Sequence, residues 1–144
     1  PIILSTGMST MDQIETAVSI IGEKNNILLH CTSSYPCKTE ELNLSLIPVL
    51  KSKFKDMIIG YSGHETGLAS TIAAAALGAK VIERHITLDR SMWGSDQSAS
   101  IEPHGLKRLC RDLFTNQIAM GDGIKKVYET EKPIIKKLRR KSDF

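Results

Sequence analysis

The chain has 144 residues, 41% of them apolar and 24% charged, which fits one ordinary globular domain and excludes disordered, collagen-like and membrane-embedded classes. Its net charge of +3 arises at one end: residues 125–144 hold eight Lys or Arg against three Asp or Glu, leaving 11 basic and 13 acidic side chains elsewhere. The main part therefore presents no basic face for nucleic acid.

The first predicted strand covers residues 2–6. Thr10 and Gln13 then form a capping box ahead of Ile14, Ala17, Val18 and Ile21, which share one helix face up to the stop at Gly22. A second strand at 27–32 leads through a loop with Pro36 to a helix carrying Leu46, Ile47, Leu50 and Phe54; Pro48 is tolerated there only in the first turn. A third strand at 57–62 precedes an alanine-rich helix over 68–77 that stops at Gly78. The fourth strand spans 80–87. Beyond it, Leu106, Leu109, Cys110 and Leu113 form the apolar stripe of a last helix, with Pro103 near its start and Gly121 past its end.

Strands and helices alternating at this spacing predict parallel βα units. The fold class is α/β, with about four units over residues 1–124 and a basic linker or tail over 125–144. No glycine-rich phosphate fingerprint supports a doubly wound nucleotide fold, and four units make half of a (β/α)8, TIM-type barrel. The chain opens at Pro1 inside a strand-like run, so it reads as part of something longer. A half-barrel exposes parallel edges, and a homo-oligomer, a dimer above all, is expected. No apolar run reaches the ~18 residues of a membrane-spanning helix, and no signal-peptide pattern opens the chain. Cys31, Cys37 and Cys110 form neither a disulfide framework nor a zinc motif, so the expectation is a cytoplasmic protein with reduced thiols and no membrane partner.

In parallel α/β folds chemistry sits at the carboxyl ends of the strands. Those ends carry Ser5, Thr6 and Gly7; Cys31 to Pro36; Tyr61 to Glu65; and Glu83 to Thr87. Side chains two apart share a face, so Ser62 pairs with His64 and Glu83 with His85, placing two imidazoles at one level on adjacent strands. With strands about 4.8 Å apart, such a pair can share a divalent ion. The same pattern also suits two packed, hydrogen-bonded histidines. His30 and His104 have no such partner and read as structural or surface residues. Ser5, Ser33 and Ser62 are turn formers individually, and together they resemble an anion cradle. The connection after the fourth strand, 87–102, is far longer than usual and holds Asp96 and the only tryptophan, Trp93, which packs on the barrel top or covers a substrate.

The strings STGMS at 5–9, LLHCTSSYP at 28–36, GYSGHETG at 60–67 and IERHITLDRSMWGSDQSASIEP at 82–103 closely resemble the sialic acid synthase family. That resemblance covers nearly the whole chain. It implies a carbon–carbon bond-forming transferase that condenses phosphoenolpyruvate with N-acetylmannosamine, or its 6-phosphate, and releases phosphate. It also implies a (β/α)8 barrel followed by a small antifreeze-protein-like domain, this chain being the second half of the barrel. His64 and His85 then match the two protein ligands of Mn²⁺ or Mg²⁺. Ser5 and Ser62 match hydroxyls that hold phosphoenolpyruvate, with Ser33 where many bacterial members carry asparagine. Tyr35 and Asp96 match positions facing the N-acetylated amino sugar, and Glu83 and Asp96 match carboxylates that orient the water at the metal. Gly63 stands where other members carry aspartate, as in the animal-like branch, which prefers the phosphorylated sugar. The family's phosphoenolpyruvate-binding lysines, an acidic sugar-binding residue and a small-domain arginine are not in this chain, so it is expected to be catalytically incomplete alone. Two other readings stay open: a legionaminic or pseudaminic acid synthase, and a non-catalytic oligomeric half-barrel.

Overall fold

In the computed structural model, which describes residues 1–140, each of the four strand runs leads into a helix. The basic linker or tail expected over 125–144 falls partly outside the described residues. β1 (Ile3–Ser5) precedes α1 (Met11–Ile21), whose Thr10 side chain accepts from the Gln13 backbone while the Thr10 N–H donates to Gln13 Oε1 at 2.9 Å. The capping box is thus formed as its spacing predicts. β2 (Ile27–Cys31) precedes α2 (Leu46–Lys53), where Pro48 occupies the first turn and forfeits no helical hydrogen bond. β3 (Ile58–Gly63) and α3 (Ala69–Ala76) follow, then β4 (Val81–Arg84) and α4 (Pro103–Ala119), which begins on its proline.

Three expectations need adjustment. β4 ends at Arg84 rather than 87, because it is an edge strand and the backbone beyond it bonds the returning loop: Ile101 N–H donates to the His85 carbonyl at 2.8 Å and Thr87 N–H to the Ile101 carbonyl at 3.0 Å. Cys110 is exposed, since α4 packs against α3 along a narrow stripe that buries only Leu109 fully. In the tail, α5 (Lys132–Leu138) forms against a 3₁₀ turn at Glu129–Glu131, so part of the segment read as linker is helical. No helix among the described residues is long and apolar enough to cross a membrane.

The sheet runs β1-β2-β3-β4, all parallel. Such sequential order, without the reversal of a doubly wound sheet, belongs to barrel-type winding. Leu28, Ile59 and Tyr61 face the helices and pack with Ile14 and Val18 of α1, Ile47 and Leu50 of α2 and Ala74 of α3. The alternate positions line the opposite face, where Leu29 and Ser62 are buried while Ile3 and Ile58 remain 58% and 46% exposed. β1 and β4 each pair on one side only, so the half-barrel has two open edges among the described residues.

On that inner face, Gly60 lets β3, β2 and β4 approach closely. A Cβ there would lie 2.6 Å from the Val81 carbonyl oxygen and 2.4 Å from Leu29 Cδ2. The carbonyl belongs to a paired strand and cannot yield. Gly60→Ala is expected to lower unfolding stability by about 1–3 kcal/mol in urea denaturation; an unchanged midpoint and slope would show that the sheet relaxes around the methyl.

Candidate functional site

The site is assembled by register. Ser62 lies opposite Glu83 and Gly63 opposite Arg84, so the next residues, His64 and His85, emerge side by side at the sheet's carboxyl end. Their ring centroids are 5.1 Å apart at 66°. Cys37 N–H donates to the His64 carbonyl at 2.9 Å, drawing the loop after β2 across β3. This sets the Tyr35 ring 4.3 Å from His64 and 5.5 Å from His85.

Each histidine has a defined second partner. A carbonyl only accepts, so the 2.9 Å contact of His64 Nδ1 with the Thr32 carbonyl puts the proton on Nδ1 and leaves Nε2 as a lone-pair donor. An imidazole fixed in this way by a backbone carbonyl leaves its other nitrogen available as a ligand. His85 Nδ1 lies 3.8 Å from Asp96 Oδ2, both partly exposed. Asp96 reaches this position because its carbonyl accepts from Ser100 Oγ at 2.8 Å and from Ala99 N–H at 3.2 Å, closing a 3₁₀ turn at Gln97–Ala99. Ser62, buried, donates to Glu83 Oε1 at 2.7 Å.

Six of the sequence-selected residues, Tyr35, Ser62, His64, Glu83, His85 and Asp96, therefore converge. Ser33 borders the centre, in a neighbouring cleft of about 460 Å³ lined by Thr6, Ser9, Thr32 and Ser34, with its hydroxyl 3.5 Å from Cys31 Sγ, which lies 3.8 Å from His64 Nδ1. Ser5 ends β1, two strands from the histidines, and is exposed. His30 is structural as expected: its Nε2 donates to the Leu42 carbonyl at 2.7 Å. His104 is exposed near Glu102. Trp93 does not pack on the barrel top, being fully exposed at the loop tip. Among the described residues no group of three or more His, Cys, Asp or Glu is placed to hold a metal ion. A cation here would take two imidazoles from the protein and its remaining positions from water and substrate.

Sequence reasoning missed the layer directly behind the histidines. Arg84 Nη1 donates to Glu65 Oε1 at 3.1 Å and to Thr71 Oγ1 at 2.6 Å, and Thr71 donates in turn to Glu65 Oε1 at 2.6 Å. Tyr61 OH donates to Glu65 Oε2 at 2.9 Å. The Arg84 and Glu65 side chains are 3% and 4% exposed. Parity offered the signal: Tyr61, Gly63 and Glu65 share the helix-facing side of β3, and Arg84 shares that side of β4. Gly63 makes room for the pair, since a Cβ there would meet Glu65 Oε2 at 2.6 Å and Tyr61 Cε1 at 2.7 Å. Burial pulls the Arg84 guanidinium down from its ordinary value, and the Glu65 charge opposes this. Burial, reinforced by the Glu65 charge and hydrogen bond, pushes the Tyr61 phenol far above the usual tyrosine range.

Residues 1–125 match the NeuB family. The N,N'-diacetyllegionaminic acid synthase of Campylobacter jejuni is 46% identical over 96% of this chain and 43% of its own length. Human N-acetylneuraminate-9-phosphate synthase is 44% identical over 96% of this chain and 39% of its own. The chain thus spans about two fifths of these relatives. In structure it is similar to the N-acetylneuraminic acid (sialic acid) synthetase of Leptospira borgpetersenii, solved in complex with citrate. The TM-score is 0.82 at 41% identity, covering 96% of this chain and 50% of that one. The fold is accordingly of the TIM-barrel type.

The buried phenol yields a test. Folding raises the Tyr61 pKa, so its contribution to stability is complete below pH about 10 and is lost as the pH climbs through the folded value. In an alkaline titration followed by tyrosinate absorbance, Tyr61→Phe is expected to leave the native curve unchanged and to reduce the amplitude of the unfolded one. A native curve that loses amplitude would place the phenol in water.

Proposed function

The chain belongs to the NeuB family, and on that premise we propose that its strand ends form part of a synthase site condensing phosphoenolpyruvate with an N-acetylated amino sugar. The observation that carries this reading is the His64–His85 pair, 5.1 Å between ring centroids, flanked by Asp96 at 3.8 Å from His85 and by the Ser62–Glu83 couple. Two oriented imidazoles with two carboxylates beside them suit a divalent cation that shares its remaining positions with oxygen ligands. Mn²⁺ or Mg²⁺ is the proposed ion, and when bound it supplies Lewis acidity toward the sugar's aldehyde oxygen.

The reaction joins the methylene carbon of phosphoenolpyruvate to the aldehyde carbon of the open-chain sugar, whose oxygen takes up a proton; water then adds at the adjacent carbon bearing the phosphate ester and gives up a proton, and the C–O bond to phosphate breaks as the ketone forms. His64 and His85 would hold the cation, with Nε2 of His64 free because Nδ1 is engaged by the Thr32 carbonyl. Ser5 and Ser33 are the hydroxyls proposed to donate to the anionic substrate; the one hydroxyl proton of Ser62 goes to Glu83, so Ser62 acts by aligning that carboxylate. Glu83, aligned by Ser62, and Asp96, held by Ser100, are positioned to accept hydrogen bonds from the incoming water. Tyr35 offers its ring over both imidazoles as a wall against which the sugar is oriented. Relatives named for legionaminic and N-acetylneuraminate-9-phosphate synthesis are 46% and 44% identical, so the substrate is proposed as a class of amino sugar. The open edges of β1 and β4 are the surfaces where a second copy of the chain would pair. We propose the cytoplasm as the location of the reaction, because phosphoenolpyruvate does not cross membranes unaided.

Titration calorimetry with Mn²⁺ on the chain tests the reading. Saturable binding is expected, weakened at least about tenfold in both His64→Ala and His85→Ala. Binding that survives both substitutions unchanged would remove the histidines from the site.

A further inference from the structure

Arg84 makes more contacts than a buried ion pair requires. Beyond Glu65 Oε1 and Thr71, its Nη1 donates to the Gly67 carbonyl at 3.0 Å, and its Nη2 donates to the Glu65 carbonyl at 2.6 Å and lies 3.5 Å from that of Ala99. These partners belong to three separate pieces of chain. Glu65 follows His64 directly, Arg84 itself precedes His85 directly, and Ala99 closes the turn whose first carbonyl is that of Asp96. One guanidinium thus ties together the backbone that carries His64, His85 and Asp96 of the polar centre, without touching any of their side chains.

We propose that Arg84 is a positioning residue, a clamp that holds His64, His85 and Asp96 at their mutual spacing, with Glu65 and Thr71 as the groups that fix its own orientation. As a device for metal binding, the clamp rests on the function proposed above. The physical case is geometric. A planar guanidinium donates along several fixed directions at once, so it can bridge two strand ends and a loop rigidly; an ammonium in the same place is a single charge with no fork. Isolated stabilisation explains the arrangement poorly, because the desolvation cost of a buried ion pair roughly cancels its attraction. The two backbone carbonyls of Glu65 and Ala99 gain nothing from the Glu65 charge, yet they are what connect Arg84 to the site. Groups one layer behind metal ligands commonly change affinity tenfold or more when altered.

The test uses Arg84→Lys, which keeps the charge, and Thr71→Val, which keeps the shape and removes two hydrogen bonds, against Leu50→Ala, a core truncation on α2 that destabilises from elsewhere. Two readouts are taken on the full chain: Mn²⁺ affinity by calorimetry, and nuclear Overhauser contacts between the His64 and His85 rings without metal. Arg84→Lys is expected to weaken Mn²⁺ binding at least about tenfold and to erase the ring contacts, Thr71→Val to do both to a smaller degree, and Leu50→Ala to do neither despite its lower stability. Ring contacts that persist in Arg84→Lys would overturn the clamp, as would equal losses in Leu50→Ala. Should the unaltered chain bind no Mn²⁺, the metal reading fails by itself, and the ring contacts still decide whether Arg84 positions the histidines.

Discussion

The parallel pairing of β3 with β4 is the constraint on which the rest of this structure depends. A one-residue slip would send every side chain of one strand to the opposite face. With Gly63 beside Arg84, one face of the two strand ends collects Ser62, Glu83, His64 and His85, and the other collects Tyr61, Glu65 and Arg84. A polar centre that runs from buried Ser62 and His64 out to exposed Glu83, and a dry charged cluster, are thus the two sides of one ladder. The cluster is costly to bury and is satisfied almost completely, Arg84 Nε being the one member atom left without a partner.

Much of the scaffold was legible in advance because its determinants are local. The Thr10–Gln13 box, the first-turn Pro48 and the stop at Gly78 each act within a few residues, and all three operate as their chemistry dictates. Where long-range geometry decides, legibility fell. The end of β4 depends on a loop that returns at Ile101, and the exposure of Cys110 depends on how little of α4 the neighbouring helix covers. Neither can be read from periodicity.

The centre followed the same division. The histidine pair was visible from alternation alone, since parity and strand order suffice to bring two residues together. Asp96 was visible as a polar residue of an unusually long loop and, through resemblance, as one facing the sugar, but not as a neighbour of His85, because that approach depends on a turn capped by Ser100. Glu65 and Arg84 stood next to the selected residues and were passed over, as charged side chains on the helix-facing side break the apolar pattern that marks a core. That violation was itself the clue. A charge at a core parity position in both of two adjacent strands announces a buried pair.

Gly63 carries a corollary for variation among relatives. The missing side chain leaves a space that the Glu65 carboxylate enters from two residues downstream, at 2.6 Å from where a Cβ would stand. Positions 63 and 65 therefore share one compartment. A side chain introduced at 63 would have to displace the Glu65 carboxylate, and with it the partner of Arg84, so the glycine and the glutamate act as one unit whose halves are separated by a histidine.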